Sequence, residues 1–278
     1  MKKLFCIEVK RSIRSPLLWT AAGILILLNI FGMVLNSYGF TITASTFLFY
    51  NTPVICIFLS LFIPLHIGQE FEVRTINNKI LSGYSRTQIY IAEMLISILW
   101  GWGLFLIDIG SILLLSKIVK LPLGIALSEL FIECIMSLIC ITTIAALFTT
   151  ITMLLHKRLN SIAVTLCVAL IGLYLGGNTV SDLKQEAFHI EKDGSKVENT
   201  LHLEGLERIL ANAHLMLSPF TQVKYQPDIR YETNDMKIEN SLVLKNAFHH
   251  WEFPITNFIE IVIFTQIGVM IFKKQDLK

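Results

Sequence analysis

Six apolar runs, each long enough to carry a helix across a bilayer, constrain this chain more than any other feature. A spanning helix needs about 20 predominantly apolar residues. Windows of that length fall at roughly 17–36, 46–67, 88–116, 125–155, 161–177 and 254–272. The third and fourth exceed what a bilayer needs and are expected to tilt or protrude, and the fifth is short. With 54% hydrophobic and 16% charged residues and a mean hydropathy of +0.63, the chain lies outside the range of soluble domains. The expected fold class is an all-α polytopic membrane protein with six transmembrane helices.

Basic residues give the expected orientation. Five lie in 1–14, three in 69–88, two in 156–160 and three in 273–278, against Lys117 and Lys120 in the short loops of the other side. Both termini are therefore expected in the cytoplasm, because Lys and Arg concentrate in cytoplasmic loops. The first run is too long for a signal-peptide core, and Asn36-Ser37-Tyr38 offers no cleavage site. The five cysteines lie within or beside apolar runs, which argues for packing rather than a disulfide framework. A net charge of +2 suggests no nucleic-acid partner.

Local punctuation divides the chain further. Residues 1–15 are expected to form an interfacial helix, with Phe5, Val9 and Ile13 toward lipid tails and Lys2, Lys10, Arg11 and Arg14 toward anionic headgroups. Ser15-Pro16 and Phe253-Pro254 suit helix starts. Residues 16–177 then carry five spans, with a cytoplasmic loop at 69–88, and 254–278 carries the sixth span and a tail. Between them, 178–253 holds twelve acidic and eight basic residues and is expected to be a small mixed extracellular domain. Within it, Leu203, Leu206, Leu210, Ala213 and Leu217 mark one face of a helix that stops before Pro219, and 237–244 alternates weakly. His189, His202, His214, His249 and His250 lack the spacing of a zinc site, so no metal is expected.

Ionisable groups inside a membrane cost at least ~2.5 kcal/mol each. Asp108, Glu129, Glu133 and Glu260 qualify, all in the outer half under this orientation. Glu129 and Glu133 share a helical face. They are candidates for an acidic vestibule favouring cationic cargo, with structurally satisfied groups near the rim as the alternative. Asn29, Asn51, Ser60 and Asn257 suit helix-to-helix hydrogen bonds. No P-loop or GxSxG pattern is present, so no catalysis by this chain is expected. His66 and Glu93, near the inner ends of the second and third spans, form the nearest thing to a site.

The loop QEFEVRTINNKILSGYSRTQ, residues 69–88, holds the densest charge. Residues 72–82 suit a short helix with Val73, Ile76, Ile80 and Leu81 on one side, closed by Gly83, and Ser85 to Gln88 reads as a capping box. An amphipathic hairpin of this kind suits docking to a soluble partner.

Residues Arg74 to Tyr90, preceded by Glu70 and Glu72, resemble the first cytoplasmic loop of bacterial ABC-2 type transporter permeases. That loop shows an acidic residue, a GT-x-(R/K)-N-K style stretch and then SGxSRxxIYxxK. The six spans and Leu217-Ser218-Pro219-Phe220 before the last one are also similar to the family. The chain departs from the pattern at Arg74, where glycine is common, and at Glu93, where lysine is common.

The resemblance implies the permease subunit of an ATP-driven exporter in a bacterial cell membrane, paired with a second permease copy. It also implies a separate ATPase subunit that carries ATP and Mg, with no cofactor on this chain. Coupling would fall to Glu70, Glu72, Arg74, Asn78, Lys79 and Arg86, with Lys157 and Arg158 as a second contact. The competing classes are a secondary transporter or channel, which predicts inverted repeats that are not visible, and a membrane sensor or immunity protein binding ligand through 178–253.

Overall fold

Backbone groups in lipid have no water to bond, so apolar runs satisfy them internally as helices. The computed structural model describes residues 2–36, 43–185, 187–190, 196–226 and 252–274, and there each run does so. The described elements are α1 (Lys2–Ile13), α2 (Pro16–Asn36), α3 (Thr52–Glu72), α4 (Thr75–Leu81), α5 (Arg86–Val119), α6 (Leu127–Leu155) and α7 (Arg158–Leu183). A small antiparallel pair, β1 (Phe188–Ile190) and β2 (Lys196–Glu198), follows. Then come α8 (Gly205–Leu217), α9 (Pro219–Tyr225) and α10 (Glu252–Lys274).

Six helical stretches are long and apolar enough to cross a membrane: α2, 44–72, α5, α6, α7 and α10. At 34 residues α5 is about 51 Å long, well beyond a hydrocarbon core of about 30 Å. Among the six, α6 is central, packed on α3, α5, α7 and α10, while α2 lies against α5. Outward faces of α2 and α10 keep leucine, isoleucine and phenylalanine exposed, as a lipid-facing surface requires.

Two boundaries differ from expectation. Residues 44–51, whose last six positions were expected to begin the second span, form a 3₁₀ helix and turns rather than α-helix. Their backbone instead bonds across to the loop after α5, Ala44 N to Pro122 O at 2.8 Å and Ser45 N to Leu123 O at 3.0 Å. The fifth span, read as short and ending at 177, continues to Leu183. Within it Gly176 makes room for a neighbour, since a Cβ there would lie 2.8 Å from Thr221 Cα.

That close approach belongs to α9, which dips into the bundle from the end opposite α1. Ser218 caps α9 by accepting from Thr221 N, and Pro219 sits in its first turn. Cys140 Sγ donates to Pro219 O at 3.1 Å, and the Phe220 ring lies 6.1 Å from that of Phe148. Asn257 donates to Gln222 Oε1 at 2.6 Å and accepts from Thr143 at 2.8 Å, while Ser137 donates to Gln226 Oε1 at 2.9 Å. A backbone this deep is tolerated where protein rather than lipid surrounds it.

The helix anticipated before Pro219 is α8, but its apolar stripe points outward. Leu206, Ile209, Leu210 and Leu217 are exposed, and Leu215 is the buried leucine. His214 turns α8 this way by bonding Thr179 and Thr221 at 2.8 and 3.3 Å. The alternation at 237–244 and the pair His249-His250 lie outside the described residues, as does the side chain of His189.

Candidate functional site

The segment between α3 and α5 folds by local rules. Arg74 sits in the left-handed region at φ 56 and turns the chain from α3 into α4. Gly83, at φ 89, ends α4 with a Schellman pair, Tyr84 N to Lys79 O at 3.2 Å and Gly83 N to Ile80 O at 2.9 Å. Ser85 and Gln88 then form the expected capping box and open α5.

Between α4 and its neighbours lies a buried ion cluster. Lys79 Nζ meets Glu8 of α1 at 2.8 Å, Glu70 of α3 at 2.6 Å and Glu93 of α5 at 2.7 Å. Arg11 pairs with Glu70 and stands 3.1 Å from Glu8. His66 Nε2 lies 3.0 Å from Arg11 Nη2, 3.7 Å from Glu93 and 3.9 Å from Glu8. All three glutamates are buried, Lys79 is 7% and His66 10% exposed, and Arg11, at 38%, is the most exposed member. Burial alone would lower the lysine's pKa, but Glu93, Glu70 and Glu8 outweigh it and hold the ammonium above its usual range. Arg11 follows the same balance, burial opposed by Glu70, Glu8 and Glu93, and is also raised.

The eight residues proposed for coupling thus separate into three groups. Glu70 and Lys79, expected at a partner surface, face inward because each neutralises the other beneath α4. Arg86 donates to the last carbonyls of α10, Phe272 O at 3.1 Å and Lys273 O at 3.0 Å. Glu72, Arg74, Asn78 and Lys157 remain exposed, and Arg158 reaches Glu72 at 3.7 Å, linking the two loops. Phe71 packs edge-on between His156 and Phe272, with centroids 4.6 and 6.4 Å away. Beside these charges, Val73, Leu81 and Leu159 stand 65%, 85% and 77% exposed.

The sequence reading paired His66 with Glu93 but missed Glu8. Phe5, Val9 and Ile13, expected toward lipid, are half-buried or exposed, and the positions that α1 buries against the protein are Leu4, Glu8 and Ser12. The pull of Lys79 on Glu8 sets that rotation. The one available signal was a solitary acid among five basic residues in 1–14.

The four acids of the apolar runs are dispersed over three helices. Asp108 is fully buried and lines no open vestibule in this conformation. Its Oδ1 accepts from Asn29 at 2.8 Å and from Asn51 at 3.0 Å, and Asn51 also donates to Asn29 at 2.7 Å. Asp108 Oδ2 is buried without a hydrogen bond. Glu129 is exposed and Glu133 half-buried on α6, while Glu260 is half-buried on α10 with a buried, unbonded Oε2. Asn29, Asn51 and Asn257 do bond between elements, whereas the Ser60 hydroxyl donates within α3 to Ile57 O at 2.7 Å and its backbone carbonyl accepts from Thr165 of α7 at 2.6 Å.

Ligand atoms of Glu8, His66 and Glu93 lie within 4.8 Å of one another, a donor set of the kind that holds a metal ion. No protein-family model and no curated protein sequence matches the chain.

Proposed function

We propose that this chain is the membrane-spanning subunit of an ATP-driven exporter, acting as a pair of permeases and coupled to a separate ATPase subunit. The observation that carries the reading is the surface at the basic end. Three aliphatic side chains, Val73, Leu81 and Leu159, stand exposed beside Glu72, Arg74 and Lys157 on two joined loops. The concentration of Lys and Arg at this end supports a cytoplasmic face, with its aliphatic surface in water rather than lipid. An exposed apolar patch with a charged rim is the form of a protein-docking surface. ATP and Mg belong to the partner, and Glu129 and Glu133 on one helical face favour a cationic peptide as cargo.

Copurification tests it. Leu81→Asp with Leu159→Asp should abolish recovery of an ATPase from native membranes without lowering the melting temperature, because both side chains are exposed. Equal recovery from wild type and the double variant, or transport that continues without ATP, refutes the assignment. ATP-independent transport that stops in Asp108→Asn would identify an ion-coupled carrier instead.

A further inference from the structure

We propose that Glu8, His66 and Glu93 form a binding site for a divalent transition metal, which enters by displacing the Arg11 guanidinium. The three ligands come from α1, α3 and α5, and an imidazole with two carboxylates suits Zn²⁺, Co²⁺ or Mn²⁺.

Several observations converge on that spot. Lys79 occupies Oε1 of both Glu8 and Glu93, leaving the two Oε2 atoms buried and without hydrogen bonds. Those are the oxygens nearest His66 Nε2, at 3.9 and 3.7 Å. Ligands about 2.1 Å from a tetrahedral ion stand about 3.4 Å apart, so closing the site needs shifts of only a few tenths of an ångström on the histidine side. Arg11 Nη2 now fills the position a cation would take, 3.1 Å from Glu8 Oε2 outside hydrogen-bond geometry and 3.0 Å from His66 Nε2.

Charge points the same way. Three glutamates against Lys79 and Arg11 leave the cluster one negative charge in excess with His66 neutral. Exchange of Arg11 for a divalent ion makes it neutral, and Arg11 is the most exposed member of the cluster. The bound ion would tie α1 to α3 and α5 directly.

Binding is measured on the full chain, purified without a polyhistidine tag, stripped with chelator and titrated with Co²⁺. Visible absorption reports geometry and elemental analysis reports stoichiometry. The expected result is saturable binding of one ion per chain. Affinity should fall about tenfold or more in His66→Gln and Glu93→Gln, stay unchanged in the exposed control Glu207→Gln, and tighten in Arg11→Ala. Wild type that takes up no stoichiometric Co²⁺ overturns the proposal, as does binding indifferent to Arg11→Ala. These two comparisons decide the matter even if the ligand variants fail to fold.

Discussion

Lys79→Met is the sharpest probe of the cluster. The substitution keeps the length of the side chain and removes the one charge on which three carboxylates converge at 2.6 to 2.8 Å. Loss is limited by Arg11, which still holds Glu70 and Glu8, so the full penalty falls on Glu93, left with His66 at 3.7 Å. Breaking one buried pair costs about 3–5 kcal/mol. At about 2 °C per kcal/mol for a chain of this size, the melting temperature in detergent should drop by about 6–10 °C.

Adding Glu93→Gln removes the stranded charge and should restore more than half of that drop, a coupling that independent sites would not show. Lys79's folded pKa is raised, so its contribution is fully present below the unfolded value of about 10.4 and fades only as pH rises through the folded one. Titration of Lys79 itself should therefore add no pH dependence to the gap between wild type and Lys79→Met below about pH 9. A drop below about 2 °C, matching the exposed control Lys157→Met, would show that the cluster does not hold the fold.

Two further substitutions test other parts of the bundle. Asp108→Asn retains the oxygen that accepts from Asn29 and Asn51, whereas Asp108→Leu takes one acceptor from each amide, leaving Asn29 with Ser111 and Asn51 with Asn29. Thermal denaturation should show the first within about 1 kcal/mol of wild type and the second lower by about 1–3 kcal/mol, and equal losses would refute the geometry. Gly176→Ala forces a methyl to 2.8 Å from Thr221 Cα and should cost about 1–3 kcal/mol, while Gly177→Ala, with its nearest atom at 3.9 Å, should be silent in the same assay.

What the sequence disclosed follows the range of the forces involved. The ends of α4 and the start of α5 were readable because Gly83, Ser85 and Gln88 act on backbone within a few residues of themselves. The six long helices were readable because apolar length is a local property. Glu8 was not, because its partner Lys79 lies far along the chain and the α1 pattern favoured the stripe Phe5, Val9 and Ile13. The extension of α7 was hidden for a similar reason. The apolar run ends at 177, the fit of Gly176 against Thr221 of α9 is a contact between distant segments, and a seven-residue helix carries no length signal that it will be buried.

The same contrast explains why this seam is ionic. At seven residues α4 is far below the length at which a helix holds itself in water, so its placement depends on what grips it. Aliphatic contacts tolerate small slips, because neighbouring methyl groups are near-equivalent partners. A single ammonium shared by carboxylates from α1, α3 and α5 does not: a slip of α1 by one turn, about 5.4 Å, would carry Glu8 beyond reach of Lys79 and leave it buried and unpaired. The exposed face of Val73, Arg74 and Leu81 is therefore fixed to three helices at once, and α4 moves only as far as those helices move with it.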